Sequence, residues 1–185
     1  MQPEGRLILE PERFSLTLIR LAHQLVEMHG DFSSSCILGI QPRGVLLSNH
    51  IYTLCKQIIG LDISYGKLDI TFYRDDFRTR QKPLKAYENE VEFLVENKRV
   101  ILVDDVLYTG RTIQAAMTAL QHYGRPASVE LLVLIDRRFN RHLPVQANFV
   151  GMRIDAVDEA YVEVQWDQAQ GHQVMLYADK TKKHG

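Results

Sequence analysis

The chain has 185 residues, 45% hydrophobic and 24% charged, which suits one α/β domain with a full core and excludes a disordered or low-complexity chain. A net charge of -1 and a pI near 6.7 exclude a blanket nucleic-acid binder, so any RNA contact must come from a local patch. No apolar run approaches membrane-spanning length, and no N-terminal stretch resembles a signal peptide.

Pro11 is suited to open a helix, predicted to run to about His29 with Gly30 as its cap. Phe14, Leu18, Leu21 and Leu25 form its apolar stripe, while Arg13, Arg20 and Glu27 lie on another face. Ser35 to Ile40 reads as a short strand, Gln41-Pro42-Arg43-Gly44 as a turn, and Val45 to Ile59 as a helix ending at Gly60. The two cysteines, Cys36 and Cys55, sit in apolar surroundings and read as buried thiols of a reducing cytoplasm. Lys67 to Tyr73 alternates, with Leu68, Ile70 and Phe72 on one side, and predicts a strand. Arg74 to Lys85 is polar and aperiodic, so the segment from about 74 to 98 is expected to be a flexible loop, either functional or a solvated connector.

Val100 to Thr112 carries the most chemistry. Four apolar residues form a buried-strand run, Asp104 and Asp105 end it, and Thr109-Gly110-Arg111-Thr112 turns into a helix. Adjacent carboxylates at a strand end suit sugar hydroxyls or a metal, and a turn feeding a helix N-terminus suits a phosphate. Successive strand residues point to opposite faces, so both carboxylates reach one ribose only if the backbone turns there. Ile113, Ala116, Met117 and Leu120 give the helix its apolar face, Gly124 and Pro126 stop it, and Ser128 to Asp136 is a second buried strand. The resulting βαβ unit requires a parallel sheet, with the ligand beyond the strand ends. Arg43 and the helical N–H groups after the Gln41–Gly44 turn suit a second anionic group. Ala147 to Ile154, Tyr161 to Trp166 and Gln173 to Tyr177 read as short strands, the last two forming a hairpin across Asp167 to His172. The histidines show no metal-ligand spacing, His50 reads as a packing or surface residue, and neither a nucleoside-triphosphatase loop nor a hydrolase elbow occurs.

At Val100 to Thr112 the sequence closely resembles the phosphoribosyl pyrophosphate (PRPP) motif of type I phosphoribosyltransferases. Asp69-Ile-Thr-Phe-Tyr-Arg-Asp-Asp76, Tyr123-Gly-Arg-Pro-Ala-Ser128, Asp136-Arg137 and Leu143-Pro144 narrow the resemblance to the PyrR family, from about Ile8 to Tyr177. That resemblance implies the type I phosphoribosyltransferase fold: α/β, a twisted, mostly parallel sheet flanked by helices, with a small hood. One domain over 1–185 is expected, with hood elements at about 137–177 and the region Asp136 to Val157 as the expected hood over the base, its contacts not named by spacing. The implied activity is transfer of phosphoribose from PRPP to uracil with Mg²⁺, giving UMP and pyrophosphate, and binding of pyrimidine-operon leader RNA in response to UMP or UTP. Open alternatives are an RNA-binding attenuator that keeps the site mainly to sense nucleotide, and a transferase for another base.

Carried onto this chain, Asp104 and Asp105 are the candidate catalytic residues, holding the ribose hydroxyls. Val106, Leu107, Tyr108, Thr109, Gly110, Arg111 and Thr112 are the candidate PRPP and phosphate loop. Gln41, Pro42, Arg43, Gly44 and Arg74 are candidates for pyrophosphate. Mg²⁺ would be held mainly by PRPP, with Asp104 and Asp105 as possible ligands. Arg20, His23, Arg138 and Arg141 are the RNA-facing candidates, although Leu16, Ile19, Met28, Gln146 and Met152 are not basic where relatives often carry polar or basic groups. Gln41 stands where the family usually has a basic residue and Pro42 replaces a more common Thr, so a cis Gln41–Pro42 bond is predicted. The family also implies a homo-oligomer, a dimer or higher, and no membrane partner.

Overall fold

The computed structural model describes residues 5–74, 90–139, 141–156 and 160–178. The elements run β1 (Arg6–Leu9), α1 (Pro11–His29), β2 (Ser35–Ile40), α2 (Arg43–Ile59), β3 (Ser64–Leu68), β4 (Arg99–Leu107), α3 (Arg111–Leu120), β5 (Ser128–Arg137), β6 (Phe149–Ile154), β7 (Tyr161–Gln165) and β8 (Gln173–Tyr177). Gly30 and Gly60 close α1 and α2 at positive φ, 60° and 70°, donating to Val26 and Lys56 carbonyls at 2.9 Å each. Among the described residues no helix is long and apolar enough to cross a membrane.

Five strands form a parallel sheet in the order β3-β2-β4-β5-β6. Its faces bury alternate residues of each strand. On β4, Ile101 and Val103 pack with α1 and α2 through Phe14, Leu21, Leu47 and Ile51. Val100 and Leu102 pack the other way, with Ile113, Ala116 and Leu120 of α3. Cys36 and Cys55 are free and buried, and burial pushes their thiols up to about 11 and about 12, so neither is a nucleophile at neutral pH. A separate antiparallel sheet, β1-β8-β7, forms the hood, and its Val162 and Val174 seal the first core cluster.

Four expectations change. The predicted strand Lys67–Tyr73 stops at Leu68, because buried Asp69 accepts from Thr71 N and Oγ1 at 2.9 and 2.6 Å and draws the chain into a 3₁₀ turn over Thr71–Tyr73. Phe72 therefore swings outward and is 65% exposed. Phe149–Ile154, expected within the hood, is instead the edge strand of the parallel sheet, because β5 offers it an unpaired edge in register from Leu132. In α3 the buried stripe shifts toward Ala115 and Ala119, which leaves Met117 at the margin and exposed. Finally, the part of the expected loop from 90 to 98 is anchored: Glu90 and Lys67 exchange backbone hydrogen bonds at 3.0 Å and Val95 is fully buried. Residues 75–89 of that loop lie outside the described residues.

Candidate active site

The site gathers where β2, β3, β4 and β5 end. β4 does not turn at its carboxylates. It stays paired with β5 in constant register through Leu107, so Asp104 and Asp105 remain in the strand. Both are nonetheless buried, at 5% and 6% exposure. The Asp104 side chain folds back so that Oδ1 accepts from Asp105 N at 2.9 Å, which keeps its charge beside its neighbour's backbone. Burial pushes both carboxyl pKa values up. The Asp105 charge adds to the rise at Asp104, while Arg43 pulls Asp105 back down.

Arg43 comes from the turn after β2. Gln41–Pro42 is cis, as predicted, and Gln41 N donates to Leu68 O at 3.0 Å, fastening the turn to the end of β3. α2 starts at Arg43, two residues earlier than the sequence pattern placed it. Gly44 then sits directly on β4: a Cβ there would lie 2.3 Å from Val103 O and 3.1 Å from Asp104 Cα. This close approach sets the start of α2 against β4, near enough for the Arg43 charge to be felt at both carboxylates. Burial alone would lower the Arg43 pKa, but Asp105, the Tyr161 hydroxyl and Asp104 together raise it. Its Nη2 donates to Tyr161 Oη of the hood at 3.2 Å.

The loop after β4 supplies a helix N-terminus. Gly110 is the N-cap of α3 at φ 93°, a conformation that suits glycine, and Gln114 N donates to its carbonyl at 3.0 Å. The first-turn N–H groups and the Thr109 and Thr112 hydroxyls suit phosphate oxygens. Val106 and Leu107 lie within β4 and pack against the two core clusters. Arg111 is exposed, and Arg74 is the last described residue before 75–89.

A brace behind this loop was not read from the sequence. His142 N and Leu143 N both donate to Thr109 O, at 3.0 and 3.2 Å. Arg141 donates through Nη1 to Tyr108 O and through Nη2 to Asp136 Oδ1, the latter at 2.6 Å. The Arg137 guanidinium stacks 3.9 Å from the centre of the Tyr108 ring. Asp136-Arg137 and Leu143-Pro144 had signalled family membership, but their job as a brace depends on β5 delivering them beside the loop.

The four RNA-facing candidates separate. Arg141 is partly buried, its side chain 19% exposed and paired with Asp136 at 2.6 Å. Arg20 reaches across from α1 to Gly151 O at 2.6 Å and Val150 O at 3.3 Å. Arg138 holds Asp155 through Nε at 2.6 Å and through Nη2. Arg20 and Arg138 thus flank the outer edge of β6, and His23 is exposed on α1.

The phosphoribosyl transferase domain model matches residues 8–169 of this chain. The bifunctional protein PyrR of Geobacter sulfurreducens is 39% identical over 166 residues, covering 90% of this chain and 93% of the relative. That of Bacillus cereus is 37% identical over 177 residues, covering 94% and 98%. Among solved structures, the hypoxanthine phosphoribosyltransferase of Trypanosoma cruzi superposes with a TM-score of 0.68 at 14% identity, covering 95% of this chain and 97% of that one, a likeness of fold. These relationships mean that the chain belongs to the phosphoribosyltransferase family, among the bifunctional PyrR proteins.

Proposed function

We propose that this protein transfers phosphoribose from PRPP to uracil, producing UMP and pyrophosphate. The observation that carries the reading is the placement of buried Asp104 and Asp105 between the Arg43 turn and the Tyr108–Thr112 loop. In this reaction the C1–O bond to pyrophosphate loosens and the ribose becomes cationic. Asp104 and Asp105 accept from the ribose hydroxyls, and their negative charge favours that cation. The N–H groups opening α3 hold the 5′-phosphate. Arg43 meets the departing pyrophosphate, with Arg74 beside it. Removing a pyrophosphate tetra-anion requires more positive charge than this. Two carboxylates offer the hard oxygen ligands Mg²⁺ takes, and no third carboxylate or imidazole joins them among the described residues, so PRPP would supply most of its oxygens. The ion would neutralise the leaving group.

A base panel tests the assignment. Uracil with PRPP should release pyrophosphate and UMP, while hypoxanthine and guanine should not. Turnover of a purine instead would overturn the uracil assignment.

The second role, UMP- or UTP-dependent binding of pyrimidine-operon leader RNA, draws on kinship with the PyrR proteins and on Arg20, His23 and Arg138 around the β6 edge. Electrophoretic shift of a leader hairpin by the protein at low salt, strengthened by UMP, tests it, and no shift at any UMP concentration would sink it. Exposed Leu16 and Ile19 on α1 are consistent with self-association into a dimer or larger assembly. Two buried free thiols suit a reducing cytoplasm.

A further inference from the structure

Tyr161 has no counterpart in the PRPP motif, yet it is the hood residue whose hydroxyl meets Arg43, 118 positions away in sequence. Arg43 stands between two neighbours of different chemistry. On one side Asp104 and Asp105 draw its charge, and on the other the Tyr161 oxygen accepts from Nη2 at 3.2 Å. A guanidinium has several donors and no acceptor, so engaging the phenol leaves other N–H groups for a second partner. The phenol is itself held: Tyr161 pairs with Tyr177 in the hood sheet, and the two rings lie 6.4 Å apart at 32°.

Without such a holdfast, a long arginine next to two buried carboxylates would collapse onto them. That would neutralise the charges the ribose needs and withdraw the cation from the diphosphate. We infer that Tyr161 is a positioning residue that holds the Arg43 guanidinium poised for the diphosphate group of the substrate. The inference rests on the phosphoribosyl-transfer reading for its ligand class, a magnesium diphosphate, but not on the identity of the base.

The test uses the full chain and magnesium pyrophosphate as the probe, with binding followed by titration calorimetry. Tyr161→Phe keeps the ring and its packing while removing the hydroxyl. Its pyrophosphate affinity should fall about ten- to a hundredfold, the effect of one lost hydrogen bond to a charged group. UMP affinity and the melting temperature should not change. In an Arg43→Ala background, Tyr161→Phe should have no further effect on pyrophosphate. Undiminished pyrophosphate affinity in Tyr161→Phe would overturn the inference, as would equal weakening of UMP, an effect that persists without Arg43, or a wild-type protein that does not bind pyrophosphate. A wild type that binds pyrophosphate through this pair but does not turn over uracil would refute the uracil assignment and leave the inference standing.

Discussion

Arg141 Nη2 lies 2.6 Å from Asp136 Oδ1, and the same guanidinium reaches the carbonyl of Tyr108, so one side chain ties the end of β5 to the loop between β4 and α3. Asp136 is 6% exposed, and its other cationic neighbour, Arg153, is 3.8 Å away. Arg141→Ala would leave a nearly buried carboxylate underpaired, at a cost of about 1–3 kcal/mol. The melting temperature should fall by about 2–10 °C and PRPP affinity should fall with it. Arg138→Ala, which breaks an exposed pair with Asp155, should leave both unchanged. Scanning fluorimetry and PRPP titration of the two variants make the comparison, and equal behaviour would refute the bracing role.

Gly44→Ala places a methyl group 2.3 Å from Val103 O, against backbone rather than a side chain that could move. Overpacking of this kind costs about 1–3 kcal/mol, and the strain falls on the strand that carries Asp104. Turnover should drop further than the loss of folded protein explains. Specific activity normalised to the folded fraction by circular dichroism provides the check.

The carboxylate pair should weaken the free fold at neutral pH. Burial raises both pKa values. A carboxyl raised in the folded state stabilises fully below its unfolded value of about 3.9, and that stability is lost as pH rises through the folded value. Asp104→Asn removes one buried charge, so the melting temperature at pH 7 should rise, by about 2–6 °C, while kcat falls by about a hundredfold or more. A lower melting temperature would contradict this account.

At the opposite end of the sheet, His29 is buried with its Nδ1 2.9 Å from Ser35 Oγ and its Nε2 2.8 Å from Glu130, a close electrostatic contact rather than an aligned hydrogen bond. Burial lowers its pKa, Glu130 opposes that, and Arg99 adds to it. A folded-state pKa below the unfolded one means the unfolded chain takes up the proton first. Stability is therefore full above about pH 6.5 and is lost as pH falls toward the folded value. His172, lowered by burial and by His50, contributes in the same direction. Melting temperatures measured from pH 8 to pH 5 should decline on the acid side, and His29→Gln should flatten the decline in part.

The sequence by itself determined the parallel sheet, the βαβ unit at Val100–Asp136, the bounds of α1 and the two strand-to-helix turns at Gln41–Gly44 and Thr109–Thr112. These rest on periodicity, glycine and proline positions and motif spacing, which are local properties of the chain. It missed the end of β3 because Asp69 competes for backbone through its side chain, a choice that hydrophobic alternation does not register. It put β6 in the hood because an apolar alternation does not say which sheet edge is vacant. Most of all, the tertiary structure decided which charges meet. Arg141, expected among the RNA-facing residues, reaches Asp136 and the carbonyl of Tyr108 in the loop after β4. Asp104 and Asp105 come within electrostatic reach of Arg43 without any turn of the strand, because Gly44 lets α2 sit against β4. Arg43 in turn meets Tyr161 only when the hood folds over the sheet. Such pairings join residues far apart in the chain, and the packing of elements, not the residue types alone, sets their distances.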